Sequence, residues 1–160
     1  MAWGKLETIW WSRNVILYQI REMVIEDYEA LIVLFRETPG ITVRDADSQD
    51  ATSAYLKRNP GLSFVAIVDE KIVGCVMSGH DGRRGYLQHL IVTPEFRKLG
   101  IGKALYSACL SALQDIGIYK THLFVQKTNT SGEMFWKKQG CVFRDEVLMF
   151  SFNTSPNENI

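Results

Sequence analysis

The stretch Arg97-Lys98-Leu99-Gly100-Ile101-Gly102-Lys103 has the residue types and spacing to do chemistry. Cations and glycines stand there where an apolar run gives way to helical periodicity. The first turn of a helix leaves N–H groups without backbone partners and carries the positive end of the helix dipole. Glycine lets such a backbone come close to a bulky anion. The chemistry predicted is a seat for a phosphate or pyrophosphate. Two other phosphate-binding patterns do not fit. A P-loop requires glycine where Arg97 stands and serine or threonine where Ala104 stands. A dinucleotide fingerprint requires glycine where Leu105 stands.

The elements that must position this seat lie on both sides of it. Upstream, 86–92 reads as an apolar strand, closed by Thr93-Pro94 because proline cannot donate to a ladder. Downstream, Ile101, Leu105, Ala108, Ala112 and Ile116 form the apolar stripe of a helix over 102–117. A further strand over 121–126 completes a βαβ crossover, so these two strands are predicted to be parallel.

The chain before this unit reads as a strand over 15–22, a helix over 26–37 and a second helix over 48–58 with Asp47 as its N-cap. Arg44 and Asp45 sit in the loop between those helices, which is expected to form one wall of a small-molecule site. Strands over 63–68 and 71–78 lead into 86–93 as an antiparallel meander. After the crossover come a short helix over 129–139 and strand-like residues over 142–152. Residues 155–160 form a polar tail expected to fray.

At 160 residues a single domain is expected, over 15–154, with an N-terminal extension over 1–14 that holds Trp3, Trp10 and Trp11. Eighteen basic and eighteen acidic residues cancel, which argues against a nucleic-acid binder held by bulk charge. Cys75, Cys109 and Cys141 are odd in number and far apart, so neither a disulfide framework nor a zinc site is suggested, and no metal site is expected. A reducing, cytoplasmic location fits that usage. No apolar run is long enough to predict a membrane span.

Val92-x-Pro94-Glu95-x-Arg97-x-x-Gly100-Ile101-Gly102-x-x-Leu105 resembles the acetyl-CoA signature of GNAT-superfamily N-acetyltransferases. Asn129, followed by Phe135-Trp136-x-x-x-Gly140, is similar to that family's later motif. The order of predicted elements fits the same fold over most of the chain. The resemblance implies an α/β (α+β) architecture: one mixed, largely antiparallel sheet of about seven strands, flanking helices, and a crossover carrying the CoA site. It places the pyrophosphate of CoA on the backbone around Leu99, Gly100, Ile101, Gly102 and Lys103, with Arg97 and Lys98 adding charge. It lays the pantetheine arm along Leu90, Ile91 and Val92, where that strand splays from the next. A backbone N–H near Leu90 or Ile91 then polarises the thioester carbonyl. Asn129 matches the family's cofactor-contacting asparagine.

The acceptor half departs from the family pattern. Its usual carboxylate positions are Tyr86 and Gln88, neither an ordinary base near neutral pH. Its general-acid tyrosine maps onto Trp136, whose indole N–H donates a hydrogen bond but is not a useful proton donor. His80, beside Asp81, is a candidate base acting through water. Strict alternation points His89 to the sheet face opposite Gln88, so a packed or hydrogen-bonded residue is the first reading of His89 and a base the second. His122 reads as structural. The expected catalytic set is thus Tyr86, Gln88, His80 and Trp136.

The expected function is transfer of an acetyl group from acetyl-CoA to a primary amine of a small molecule, by direct attack in a ternary complex. A protein N-terminus or lysine is the second acceptor class, and a homodimer is compatible. An acyl-CoA-binding module without turnover and a plain interaction domain are the rival readings.

Overall fold

The structure, a computed structural model, describes residues 16–160. The expected extension over 1–14 lies outside the described residues. Strands β1 (Gln19–Glu22), β2 (Phe64–Val68), β3 (Lys71–His80), β4 (Gly85–Val92) and β5 (Thr121–Leu123) form one sheet in sequence order. The first four pair antiparallel, and β4 pairs with β5 in parallel. The mixed, largely antiparallel sheet and its single crossover are as expected. The strand count is not: the described residues carry five strands rather than seven. Residues 142–152 form no strand, and Val142, Leu148, Phe150 and Phe152 stand exposed. Their composition suits a pleated, half-buried surface, but that preference is realised only against a neighbouring strand.

Helices α1 (Tyr28–Glu37) and α2 (Gln49–Arg58) cover one face of the sheet, and α3 (Ile101–Asp115) covers the other; α4 (Thr130–Lys138) follows the crossover. Leu31, Leu34 and Phe35 of α1 pack with Val65, Cys75, Met77 and Ile91 of the sheet. Leu105 and Cys109 of α3 pack on the opposite face with Ala66, Val76 and Leu87. This two-sided burial of apolar side chains is the main favourable term holding the layers together.

Several boundaries differ from the expected ones for local reasons. The first turn expected of α1 is a 3-10 turn, Ile25–Asp27. Both Asp27 carboxylate oxygens accept from the Arg21 guanidinium at 2.7 Å, and Oδ2 also accepts from the Val24 N–H at 3.0 Å. Burial pushes the Asp27 carboxyl up, but the Arg21 and Val24 hydrogen bonds outweigh it and hold the group below its ordinary value. The N-cap of α2 is Ser48, whose Oγ accepts from the Ala51 N–H, and not Asp47. Asp47 instead closes the 3-10 turn Asp45–Asp47, its Oδ2 accepting from the Arg44 N–H at 2.8 Å.

The register of β3 against β4 contains the fold's most consequential irregularity. Met77 pairs with Gln88 but Cys75 pairs with Ile91, so β4 carries one extra residue opposite Val76. His89 takes a φ of +49° at this bulge, an uncommon conformation for a residue with a side chain. Gly74 lies beside the bulged strand, where a Cβ would meet the Ile91 carbonyl oxygen at 2.8 Å.

The tail expected to fray is docked. Asp45 Oδ1 and Oδ2 accept from the side-chain amides of Asn159 and Asn157 at 2.8 and 2.5 Å. The Asp45 N–H donates to the Asn159 carbonyl at 3.0 Å. No helix among the described residues is long and apolar enough to cross a membrane.

Candidate active site

Pairing between β4 and β5 covers only Gly85–Thr121, Tyr86–His122 and Leu87–Leu123. Beyond Leu87 the two strands part, and a cleft opens. Gln88, His89 and Leu90 form one side of it; Phe124, Gln126, Asn129 and Trp136 form the other. The loop after α1 closes the third side with Ile41, Thr42 and Arg44. The backbone edge of β4 beyond Leu87 is therefore unpaired on the β5 side, as a site for an extended ligand requires.

At the far end of this edge the chain turns into α3. Proline at 94 opens the 3-10 turn Pro94–Phe96, and Arg97 Nε donates back to the Val92 carbonyl at 2.9 Å. Lys98 and Gly100 both have positive φ, +63° and +85°, and Gly100 is the residue from which α3 starts. No side chain among the described residues caps this helix. The Ala104 N–H reaches the Gly100 carbonyl, while Leu99, Gly100 and Lys103 lie exposed. The helix start is thus an open set of donors flanked by cations. The position a Gly102 Cβ would occupy lies 3.5 Å from the Phe135 ring, an ordinary van der Waals contact.

Asn129 caps α4, its Oδ1 accepting from the Gly132 N–H at 2.9 Å, while the residue also lines the cleft. Trp136 packs among aromatic neighbours, its ring centroid 5.4 Å from Tyr106 and 5.0 Å from Phe135. Of the expected catalytic residues, Gln88 and Trp136 thus reach the cleft. His80 and Tyr86 do not line it. They face a second cavity with Tyr55, Arg58 and Asn59, which meets the first only at Gln88. His80 Nδ1 accepts from the Gly82 N–H at 3.0 Å, and the Tyr86 hydroxyl approaches Asp81 Oδ2 at 3.4 Å. The Tyr55 hydroxyl is enclosed beside this cavity without a hydrogen-bond partner, and burial pushes it up to about 12.

His89 is displaced from its expected face. The bulge turns it toward α1, where its ring lies 4.5 Å from Phe35, on the same side of the sheet as Gln88. Its Nε2 is 2.8 Å from Asp47 Oδ1. Alternation failed because one extra residue resets it, and neither the bulge nor the Asp47 partner has a local sequence signal. Arg44, in the loop expected to wall a small-molecule site, lines the cleft, while Asp45 holds the tail. His122 lies in β5 with its ring 6.0 Å from Tyr86.

Comparison with known proteins places this geometry. The model of the acetyltransferase (GNAT) family matches residues 17–141. An acetyltransferase of Pectobacterium atrosepticum is 37% identical over 111 residues, covering 69% of this chain and 78% of that protein. The PaiA N-acetyltransferase of Thermoplasma acidophilum, solved in complex with coenzyme A, is 25% identical with a TM-score of 0.70, over 78% of this chain and 89% of that one. The fold is also that of AAC(6')-Iy in complex with a bisubstrate analogue, CoA-S-monomethyl-acetylneamine: 21% identity and a TM-score of 0.68, over 86% of this chain and 99% of that one. The chain belongs to the acetyltransferase (GNAT) family and is an acetyltransferase.

Proposed function

We propose that this acetyltransferase moves the acetyl group of acetyl-CoA to a primary amine of a small molecule, by direct attack within a ternary complex. The observation that carries this reading is the parting of β4 from β5 directly upstream of the open start of α3. One continuous surface then offers an unpaired strand edge for an extended arm and a ring of N–H donors for phosphates. The residues fit such a ligand: the helix start is uncapped and exposed, and Lys98 and Lys103 flank it. Leu90, Ile91 and Val92 supply the edge, Arg97 to Lys103 the phosphate seat, and Asn129 the far wall. A backbone N–H at Leu90 or Ile91 stabilises the oxyanion that develops on the thioester carbonyl.

Direct attack is supported by the cysteines. Cys75 and Cys109 are buried, and burial raises both thiols, Cys109 to about 12, so neither is poised as a thiolate nucleophile. Three free thiols also fit a reducing, cytoplasmic setting. The PaiA complex with CoA and the AAC(6')-Iy complex with an acetylneamine analogue support CoA chemistry and an amine acceptor.

The experiment is calorimetric titration with acetyl-CoA, together with free-thiol release using 1,4-diaminobutane, neamine and a peptide with a free N-terminus. Micromolar binding with thiol release for one of these amines is the expected result. The occupants of the family's usual acid and base positions, Trp136, Tyr86 and Gln88, favour a second reading, an acyl-CoA-binding module. Binding with no thiol release for any amine, even at high pH, would establish it.

A further inference from the structure

We propose that His89 is the general base of the transfer reaction and that Asp47 is its positioning residue. This assignment rests on the reaction proposed above. It is carried by a buried carboxylate holding an imidazole at the mouth of the cleft.

The pair is built by two distant parts of the chain. Asp47 is only 8% exposed, and its two oxygens are fully committed: Oδ2 to the Arg44 N–H, Oδ1 to His89 Nε2. The Tyr28 hydroxyl donates to the Asp47 carbonyl at 3.0 Å and fixes the turn from the other side. The carboxylate is therefore rigid. An ionised carboxylate accepts only, so a neutral ring presents Nε2–H to it and keeps its lone pair at Nδ1. Nδ1 has no hydrogen bond among the described residues, and His89 lines the cleft.

The position suits the chemistry. The bulge that turns His89 into this pair also interrupts β4 at the residue before Leu90, where the oxyanion donor is expected. Base and donor are thus successive residues of one strand. Among the described residues no rival base lines the cleft: Gln88, Gln126, Asn129 and Trp136 do not titrate near neutral pH, and His80 spends Nδ1 on its own turn in the other cavity. The charged groups facing the ring are Asp47 and Arg44 of the α1–α2 loop. Phe35 of α1, Cys75 of β3, and Gln126 and Asn129 beyond β5 present no charge.

The step balances as follows. An acceptor ammonium gives one proton to His89 Nδ1 and becomes a neutral amine. The imidazolium is stabilised by Asp47 and later releases its proton to water. The amine nitrogen attacks the thioester carbonyl, the C–N bond forms, and the C–S bond breaks. The second nitrogen proton reaches the departing sulfur through solvent, leaving amide and CoA thiol. General base catalysis of this kind supplies roughly 100-fold or more in rate.

The test uses the full chain, acetyl-CoA and the amine from the panel above that releases thiol fastest. His89→Gln is expected to lower kcat about 100-fold at neutral pH, with the KM for acetyl-CoA unchanged. The deficit should shrink about tenfold for each unit by which the pH is raised toward the amine's own pKa, because more of the amine then arrives already neutral. Asp47→Asn retains an oxygen for the Arg44 N–H and is expected to lose about tenfold in kcat; Asp47→Glu should recover part of it. A lower melting temperature with kcat retained in His89→Gln would overturn the assignment in favour of a structural tie. Should His89→Gln not fold, unchanged kcat in Asp47→Asn overturns it equally. If the unaltered chain releases no thiol with any amine, the base falls together with the transfer reaction. A thermal shift with acetyl-CoA would then show that cofactor binding alone survives.

Discussion

Two of the three sides of the cleft are made by different means. The β4–α3 wall is a backbone construction: a strand that loses its neighbour, a proline turn, and a helix that begins on Gly100 with no cap. The third side, the loop between α1 and α2, is held by side chains. Asp47 reaches a residue 42 positions away, Asp45 holds residues more than 100 positions away, and Tyr28 pins the turn between them. A wall made of backbone presents generic donors to a constant ligand. A wall made of long-range side-chain ties can change its lining without disturbing the sheet. This division suits an enzyme that keeps one co-substrate and varies its acceptor.

The largest expected effect breaks the backbone wall alone. Gly102→Glu places a carboxylate in the phosphate seat, and calorimetry should show acetyl-CoA affinity falling about 100-fold or more, with the fold intact. Unchanged affinity would put the phosphates elsewhere. Next comes the root of the side-chain wall. Asp27→Asn removes the ionic partner of Arg21 and should cost about 1–2 kcal/mol in a urea melt, discounted for the solvent-facing guanidinium. The pH dependence has a definite sign. Asp27 is held below its ordinary value in the folded state, so its contribution is complete above the unfolded pKa and is lost as pH falls through the folded one. Flattening of the acid limb of stability in Asp27→Asn checks this.

Gly100→Ala is smaller. A Cβ at a φ of +85° should cost roughly 1 kcal/mol and raise the KM for acetyl-CoA several-fold, with the KM for the amine unaffected. Removing residues 153–160 sharpens the contrast from the opposite side. It frees Asp45 and should raise the amine KM about threefold while leaving acetyl-CoA binding alone. Hydrogen exchange over 40–47 should speed up in parallel. The smallest effect is expected for Trp136→Tyr, a rate preserved or raised up to about threefold. A large loss instead would show that the indole, packed against Tyr106 and Phe135, shapes the cleft.

The same contrast explains what could be read from residues alone. The backbone wall is written locally: Pro94 must end a strand, Gly100 must take a left-handed turn, and Ile101 and Leu105 must face inward. The meander and the crossover were legible for the same reason. Alternation puts His89 on the wrong face because a bulge depends on the pairing of two strands, and nothing in Gln88-His89-Leu90 announces it. Asp47 looked like an N-cap because its type and place suit one, and Ser48 beside it suits one equally. The strands expected over 142–152 failed for want of a paired neighbour, and the tail expected to fray found Asp45 through asparagines distant in sequence.

With His89 proposed as the base, the extra residue in β4 would separate folding from activity at a single position. Leu87 and Leu90 face α3, Gln88 and Ile91 face α1, and His89 is the insertion between them. Removing His89 altogether would leave an ordinary alternating strand, with Leu90 opposite Val76 and every flanking residue still on its present side. Shortening β4 at Leu87 instead would force the remainder of the strand to compensate. On the proposed assignment, a form of the chain that keeps its sheet and lacks its base therefore lies one codon away.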